Sequence, residues 1–152
     1  MSLRKAQNGV MLLEALIAIL IFSLGILGLV GMQASAVRAS RDAQFRSEAG
    51  LLANELIGEM RTDNRDGTAL VNNFASAQTC PSTPSPSDTP YCQWSNRVAT
   101  VLPGVGANPP TVTVTPGVNG PPRTASTVTV TVRWMAPNET TAHSYRVVVQ
   151  VI

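Results

Sequence analysis

The chain has 152 residues, 44% of them hydrophobic and 13% charged, with a mean hydropathy of +0.12; this length holds one domain and an appendage, and the apolar content excludes a wholly disordered chain. Eleven basic against nine acidic side chains leave a net charge of +2, and Lys and Arg nowhere form the dense stripe that a nucleic-acid groove needs. Aromatic residues are 5% of the chain, so a globular part must fill its core mainly with Val, Leu, Ile and Ala.

The first element is apolar. Val10 to Met32 reads VMLLEALIAILIFSLGILGLVGM, 23 residues whose only charge is Glu14. As a helix this run is roughly 34 Å long, enough to cross a bilayer core of about 30 Å. Arg4 and Lys5 precede it and Arg38, Arg41 and Arg46 follow it, so counting positive charges does not orient it. A secretory signal cut near Ala34, Ser35 and Ala36 is one alternative, but the apolar core exceeds the usual span of about 7–15 residues. A plain single-pass anchor is another. Neither accounts for Glu14, because a carboxylate in hydrocarbon costs a few kcal/mol and normally has a partner or a function.

Basic leader, Gly9, Val10, Glu14 and an unbroken apolar helix follow one another in KAQNGVMLLEALIAILIFSLGILGLVGMQ. In that order they resemble the class III amino-terminal signal of type IV pilins and type II secretion pseudopilins. The resemblance implies a leader of residues 1–9, cleavage by a membrane prepilin peptidase between Gly9 and Val10, N-methylation of Val10, and an assembly role for Glu14 as the fifth residue of the mature chain. Val10 stands where Phe is usual and Met11 where Thr is common; Gly9 and Glu14 match. Cleavage leaves the new terminal amine one turn from Glu14, so the carboxylate pairs with its own terminus or with that of a neighbouring subunit. Such a pair sets axial register, since sliding one helix past another leaves both charges unpaired.

Gly25, Gly28 and Gly31 recur every three residues along this helix. They mark a stripe that permits close helix packing, with local flexibility as the plainer alternative. The stretch SLGILGLVGMQ more narrowly resembles the Gly-Leu-rich helix of the pilus-modification (PilV) minor pilins, and also the I-type pseudopilin.

Past Met32 the pattern becomes amphipathic. Val37, Phe45, Ala49, Leu52, Leu56 and Met60 recur at mostly three- or four-residue spacing among Arg41, Asp42, Arg46, Glu48, Glu55 and Glu59, which predicts one helix continuing to about Met60. The run RTDNRDG ends it, and ALVNNFASA adds a short helix or irregular segment. CPSTPSPSDTPYC follows, bounded by Cys80 and Cys92; prolines 81, 84, 86 and 90 exclude a regular helix or central strand across the interval. In an exported chain these two cysteines predict a disulfide rather than free thiols. A metal site is the weakest alternative, since two thiols and the lone His143 leave a tetrahedral set incomplete.

RVATVL, TVTVT, ASTVTVTVRWM and SYRVVVQVI read as strands, with Val128, Val130, Val132 and Trp134 on one face and Thr127, Thr129, Thr131 and Arg133 on the other. The fold class expected is therefore α+β: a long amino-terminal helix, membrane half then amphipathic half, packed on a small antiparallel sheet of three or four strands, a pilin-like arrangement. The segments are leader 1–9, apolar helix 10–33, amphipathic helix 34–60 and β-rich head 61–152 with its Cys-bounded loop 80–92. Asn138, Glu139 and Thr140 match a glycosylation acceptor by pattern alone. His143, read as a partly exposed strand-edge residue, has no nucleophile or acid at a spacing that nominates a catalytic set, and phosphate-loop and dinucleotide motifs are absent, so neither an enzyme nor a cofactor is expected.

The resemblance implies a structural role: a minor type IV pilin that initiates, assembles or modifies the pilus, supporting surface attachment, twitching motility or DNA uptake. Its implied partners are other minor pilins and the major pilin, the prepilin peptidase, the inner-membrane assembly platform and, before assembly, the lipid bilayer, with no direct nucleic-acid contact. Cleavage at the cytoplasmic face implies a bacterial inner-membrane protein with its head in the periplasm, later carried in the pilus or at its tip. A minor pseudopilin of a type II secretion system is the near alternative, and a membrane-anchored extracytoplasmic binding domain the distant one.

Overall fold

The computed structural model describes residues 8–77, 80–81, 84–118, 120–122, 124–137 and 139–152, with the backbone alone for 8 and 9. Residues 1–7 of the expected leader, with Arg4 and Lys5, and Asn138 of the glycosylation pattern lie outside the described residues. In order, the elements are α1 (Asn8–Thr62), α2 (Gly67–Phe74), α3 (Pro90–Val101), β1 (Thr111–Thr115), β2 (Ser126–Trp134) and β3 (His143–Val151). The chain divides into two compact units, Met1–Arg41 and Asp42–Ile152.

In the first unit, the described residues belong to α1 and are helical throughout. Leu, Ala and Met favour this conformation and proline is absent. Every side chain from Val10 to Arg41 is exposed within the chain. That includes Val37, half exposed at 51%. Val37 therefore does not join the covered stripe that its spacing predicted; the residues buried along α1 begin at Ala49.

The second unit is α+β: the carboxyl-terminal part of α1 packs with α2 and α3 against a three-stranded antiparallel sheet of order β1-β2-β3. Ala49, Leu52, Ala53, Leu56, Ile57 and Met60 form the helix's buried stripe. Their recurrence at three and four residues puts them on one side of the helix. Across the core lie Val128, Val130, Val132 and Trp134 of β2, each 0–2% exposed, while the intervening Thr127, Thr129, Thr131 and Arg133 are half-buried on the other face. Antiparallel pairing sets Thr113 opposite Thr129 and Thr129 opposite Val148, so the three strands keep a common pleat. Gly50 lies beneath the Tyr145 ring, which a Cβ added there would meet at 3.6 Å.

Local chemistry sets the ends of the shorter helices. Asp66 caps α2, its carboxylate accepting the Thr68 N–H at 2.8 Å. α3 opens with Pro90 in its first turn, where a missing N–H is harmless. This corrects the strand read in RVATVL: residues 97–101 are the last turns of α3, and Leu102 follows it. Trp94 and Val98, four apart and both fully buried, supply a helical period that outweighs the β-propensity of two valines and a threonine. Gly104, with φ of +70°, turns the chain from α3 toward β1; a Cβ there would lie 2.8 Å from the Met135 carbonyl oxygen.

Candidate functional site

The residues nominated by sequence fall into two places. Gly9 and Val10 lie in the first turns of α1, whose helix begins at Asn8. Val10 and Glu14 are exposed, and Glu14 makes no hydrogen bond or ion pair among the described residues. Around it Met11, Leu12, Leu13, Leu16, Ile17, Ile19 and Leu20 are also exposed, so one carboxylate interrupts an apolar surface that runs around the helix. By length and composition this helix can cross a membrane. Gly25, Gly28 and Gly31 have open space where a Cβ would stand. No described atom beyond the helix's own nearby backbone lies within 4 Å of those positions.

The second place is the cysteine pair. Cys80 and Cys92 form a disulfide with their Cα atoms 5.3 Å apart. It ties the proline-rich segment to the first turn of α3, where Cys92 and Tyr91 are buried. Inside that segment Asp88 closes a turn by accepting the Ser85 N–H at 2.8 Å. Closing a loop of this length stabilises the fold by about 3 kcal/mol through chain entropy. Such bonds are common in oxidising compartments and rare in reducing ones.

Two polar clusters were not legible in the sequence. Arg97 of α3 reaches Glu55 at 3.2 Å and Glu59 at 3.0 Å on α1. His143 lies between two carboxylates, its Nε2 2.8 Å from Glu139 and its Nδ1 3.7 Å from Asp42, and its ring stacks on Trp134 at 5.8 Å. The reading of His143 as a partly exposed strand-edge residue agrees with its place on β3, an edge strand of the sheet, and its half-buried side chain, but its partners were missed. Glu139, four residues away, was a signal that could have been used. Asp42 was not, since only the folded chain brings it near. The two carboxylates meet different ring nitrogens and do not converge, and no group of three metal-binding side chains occurs among the described residues.

Tyr91 donates a hydrogen bond to the Pro110 carbonyl at 2.9 Å. Burial pushes its hydroxyl above the ordinary phenol value, opposed in part by a hydrogen bond with Ser95. It holds the loop before β1 against α3. No family model, curated protein or solved structure matches this chain.

Proposed function

We propose that this chain is a minor subunit of a type IV pilus, made as a prepilin, cut between Gly9 and Val10, methylated on Val10 and assembled through its amino-terminal helix. The observation that carries this reading is Glu14, a lone carboxylate without a partner among the described residues, on a helix whose surrounding residues are apolar and uncovered. A helix of this kind is stable in two settings, a lipid bilayer and a bundle of like helices. In either, an unpaired carboxylate is costly. A neighbouring subunit's terminal amine neutralises it and selects one axial register. The disulfide supports the same reading, because it suits a head outside the cytoplasm. Before assembly the chain is a single-pass inner-membrane protein with a periplasmic head; afterwards it lies in the pilus with other minor pilins and the major pilin.

Intact mass and amino-terminal sequencing of protein recovered from membranes, with and without an active prepilin peptidase, test this directly. A chain that begins at Val10 only when the peptidase is active is the expected result. A chain beginning at Met1 in both strains, or cut near Ala36, overturns it. Glu14→Ala then tests the charge pair: membrane levels stay unchanged while the protein disappears from sheared pili.

A further inference from the structure

The charge-free run of α1 ends in two arginines. Between Glu14 and Arg38 no residue of the helix carries a charge, and Arg38 and Arg41 are then the first two that do, with no acid before Asp42. Both arginines are exposed, and neither makes an ion pair among the described residues.

Helical spacing explains why they stay unpaired. Charges on one helix meet at three or four residues. Around Arg41 those positions hold Val37, Arg38, Gln44 and Phe45; around Arg38 they hold Ala34, Ser35, Arg41 and Asp42. Asp42, the one acid among them, lies 3.7 Å from the Nδ1 of His143 and is not paired with Arg38. What remains at helical reach of each arginine is the other, and like charges so placed repel. An anion held between them relieves that repulsion and engages two guanidinium forks at once.

Position along the helix identifies the anion. At a rise of about 1.5 Å per residue, Arg38 stands about 42 Å along α1 from Val10, and Arg41 about 4.5 Å farther. A bilayer with its headgroups is about 40–45 Å thick. With Val10 in one headgroup layer and the exposed apolar residues beyond it crossing the hydrocarbon, both guanidinium groups come level with the opposite layer of phosphates, within the reach of their own flexible stems. A zwitterionic headgroup brings an ammonium that competes for its own phosphate. A lipid of net negative charge does not, and basic side chains at a membrane surface favour it accordingly.

We propose that Arg38 and Arg41 form a clamp for one anionic phospholipid headgroup, sharing its phosphate at the end of the membrane span opposite Val10. Such a clamp requires α1 to span a bilayer, as proposed above, but neither cleavage at Val10 nor assembly into a filament.

The full chain is reconstituted in vesicles of equal parts phosphatidylcholine and phosphatidylglycerol, washed with alkaline carbonate, extracted into mild detergent micelles and weighed intact with its bound lipid. The wild-type chain should stay in the vesicles through the wash and retain one phosphatidylglycerol, preferred over phosphatidylcholine by roughly fivefold or more. Arg38→Gln or Arg41→Gln alone should remove most of that preference, because the two side chains share one phosphate; glutamine keeps the helix propensity of arginine. Arg61→Gln combined with Arg65→Gln, a change at two exposed arginines far along the chain from the span, should leave the preference intact. Equal retention of the two lipids by the wild-type chain, independent partial losses that merely add between Arg38→Gln and Arg41→Gln, or an equal loss in the Arg61 and Arg65 variant would each overturn the clamp while leaving the span standing. A chain stripped from the vesicles by carbonate would overturn the span, and the clamp with it.

Discussion

The two tryptophans are buried to the same extent but differ in one atom's fate. Trp94 donates its Nε1–H to the Leu52 carbonyl at 2.8 Å, joining α3 to α1. The Trp134 Nε1 has no hydrogen-bond partner among the described residues. An intramolecular hydrogen bond contributes about 1 kcal/mol net, and an unpaired buried donor costs a similar amount or more. Replacing each tryptophan by phenylalanine removes comparable apolar contact, so the hydrogen bond decides the difference. Trp94→Phe should be less stable than Trp134→Phe by about 1–2 kcal/mol, measured by denaturant titration in micelles. Equal losses would mean that packing alone governs both sites. Tyr91 supplies a pH dependence. Its hydroxyl is held above the unfolded phenol value near 10 by burial, so the unfolded chain releases this proton first. The stability that Tyr91 contributes is therefore fully present below about pH 10 and lost as pH rises through its folded value. Tyr91→Phe should flatten that alkaline fall. At neutral pH it should cost about 1 kcal/mol for the hydrogen bond to Pro110.

Helix α3 carries two faces whose contributions differ in kind. On the buried side Val98 is fully enclosed, whereas the next residue inward along the chain, Arg97, is about half exposed at 48% where it meets Glu55 and Glu59. Exposed ion pairs contribute about 0.2–1 kcal/mol and weaken with salt, while removing buried methyl groups costs about 1–3 kcal/mol and does not. Val98→Ala should thus lower stability clearly at every ionic strength. Arg97→Ala should have a small effect that vanishes in high salt, read from thermal melts at two salt concentrations. The same helix shows where sequence reading reached its limit. TVTVT, STVTVTVRW and SYRVVVQV were legible as strands because alternating residues share one buried face. The amphipathic half of α1 was legible from Ala49, Leu52, Leu56 and Met60. RVATV was misread because three of its five residues favour strands. Trp94, Cys92 and Tyr91, which fix it as helix by burying a face and by a disulfide, lie before it in the chain. Val37 was misassigned for a related reason: its spacing from the covered stripe is helical, but nothing in the sequence says where the cover begins. At the candidate site, Glu14 stood out because it is alone in an apolar run. Apart from Glu139, the partners of His143 and Arg97 come from 38 to 101 residues away, and no local pattern announces Glu55, Glu59 or Asp42.

In the whole molecule, the buried core and the uncovered apolar surface belong to different parts of the chain. The buried core begins at Ala49 and ends at Val151, and no residue from Val10 to Arg41 contributes to it. The apolar run instead spends its surface on solvent within the isolated chain, which makes it the segment that lipid or neighbouring helices must cover. A chain shortened to begin at Asp42 keeps the buried stripe, the ion pairs to Arg97, the approach of Asp42 to His143 and the disulfide. It loses only a stretch of helix whose described side chains are all exposed, although a new helix end frays over its first turn. Such a chain should be soluble without detergent and should unfold cooperatively. Its loss relative to the full chain should be no more than about 1 kcal/mol, equivalent to a fall of about 4–8 °C in Tm for a domain of this size. The check is calorimetry of the shortened chain in buffer and in the micelles used for the full chain, so that the solvent is matched. A shortened chain that unfolds non-cooperatively, or melts tens of degrees lower, would show that residues before Asp42 support the core, and the division between a folding unit and an uncovered apolar helix would have to be abandoned.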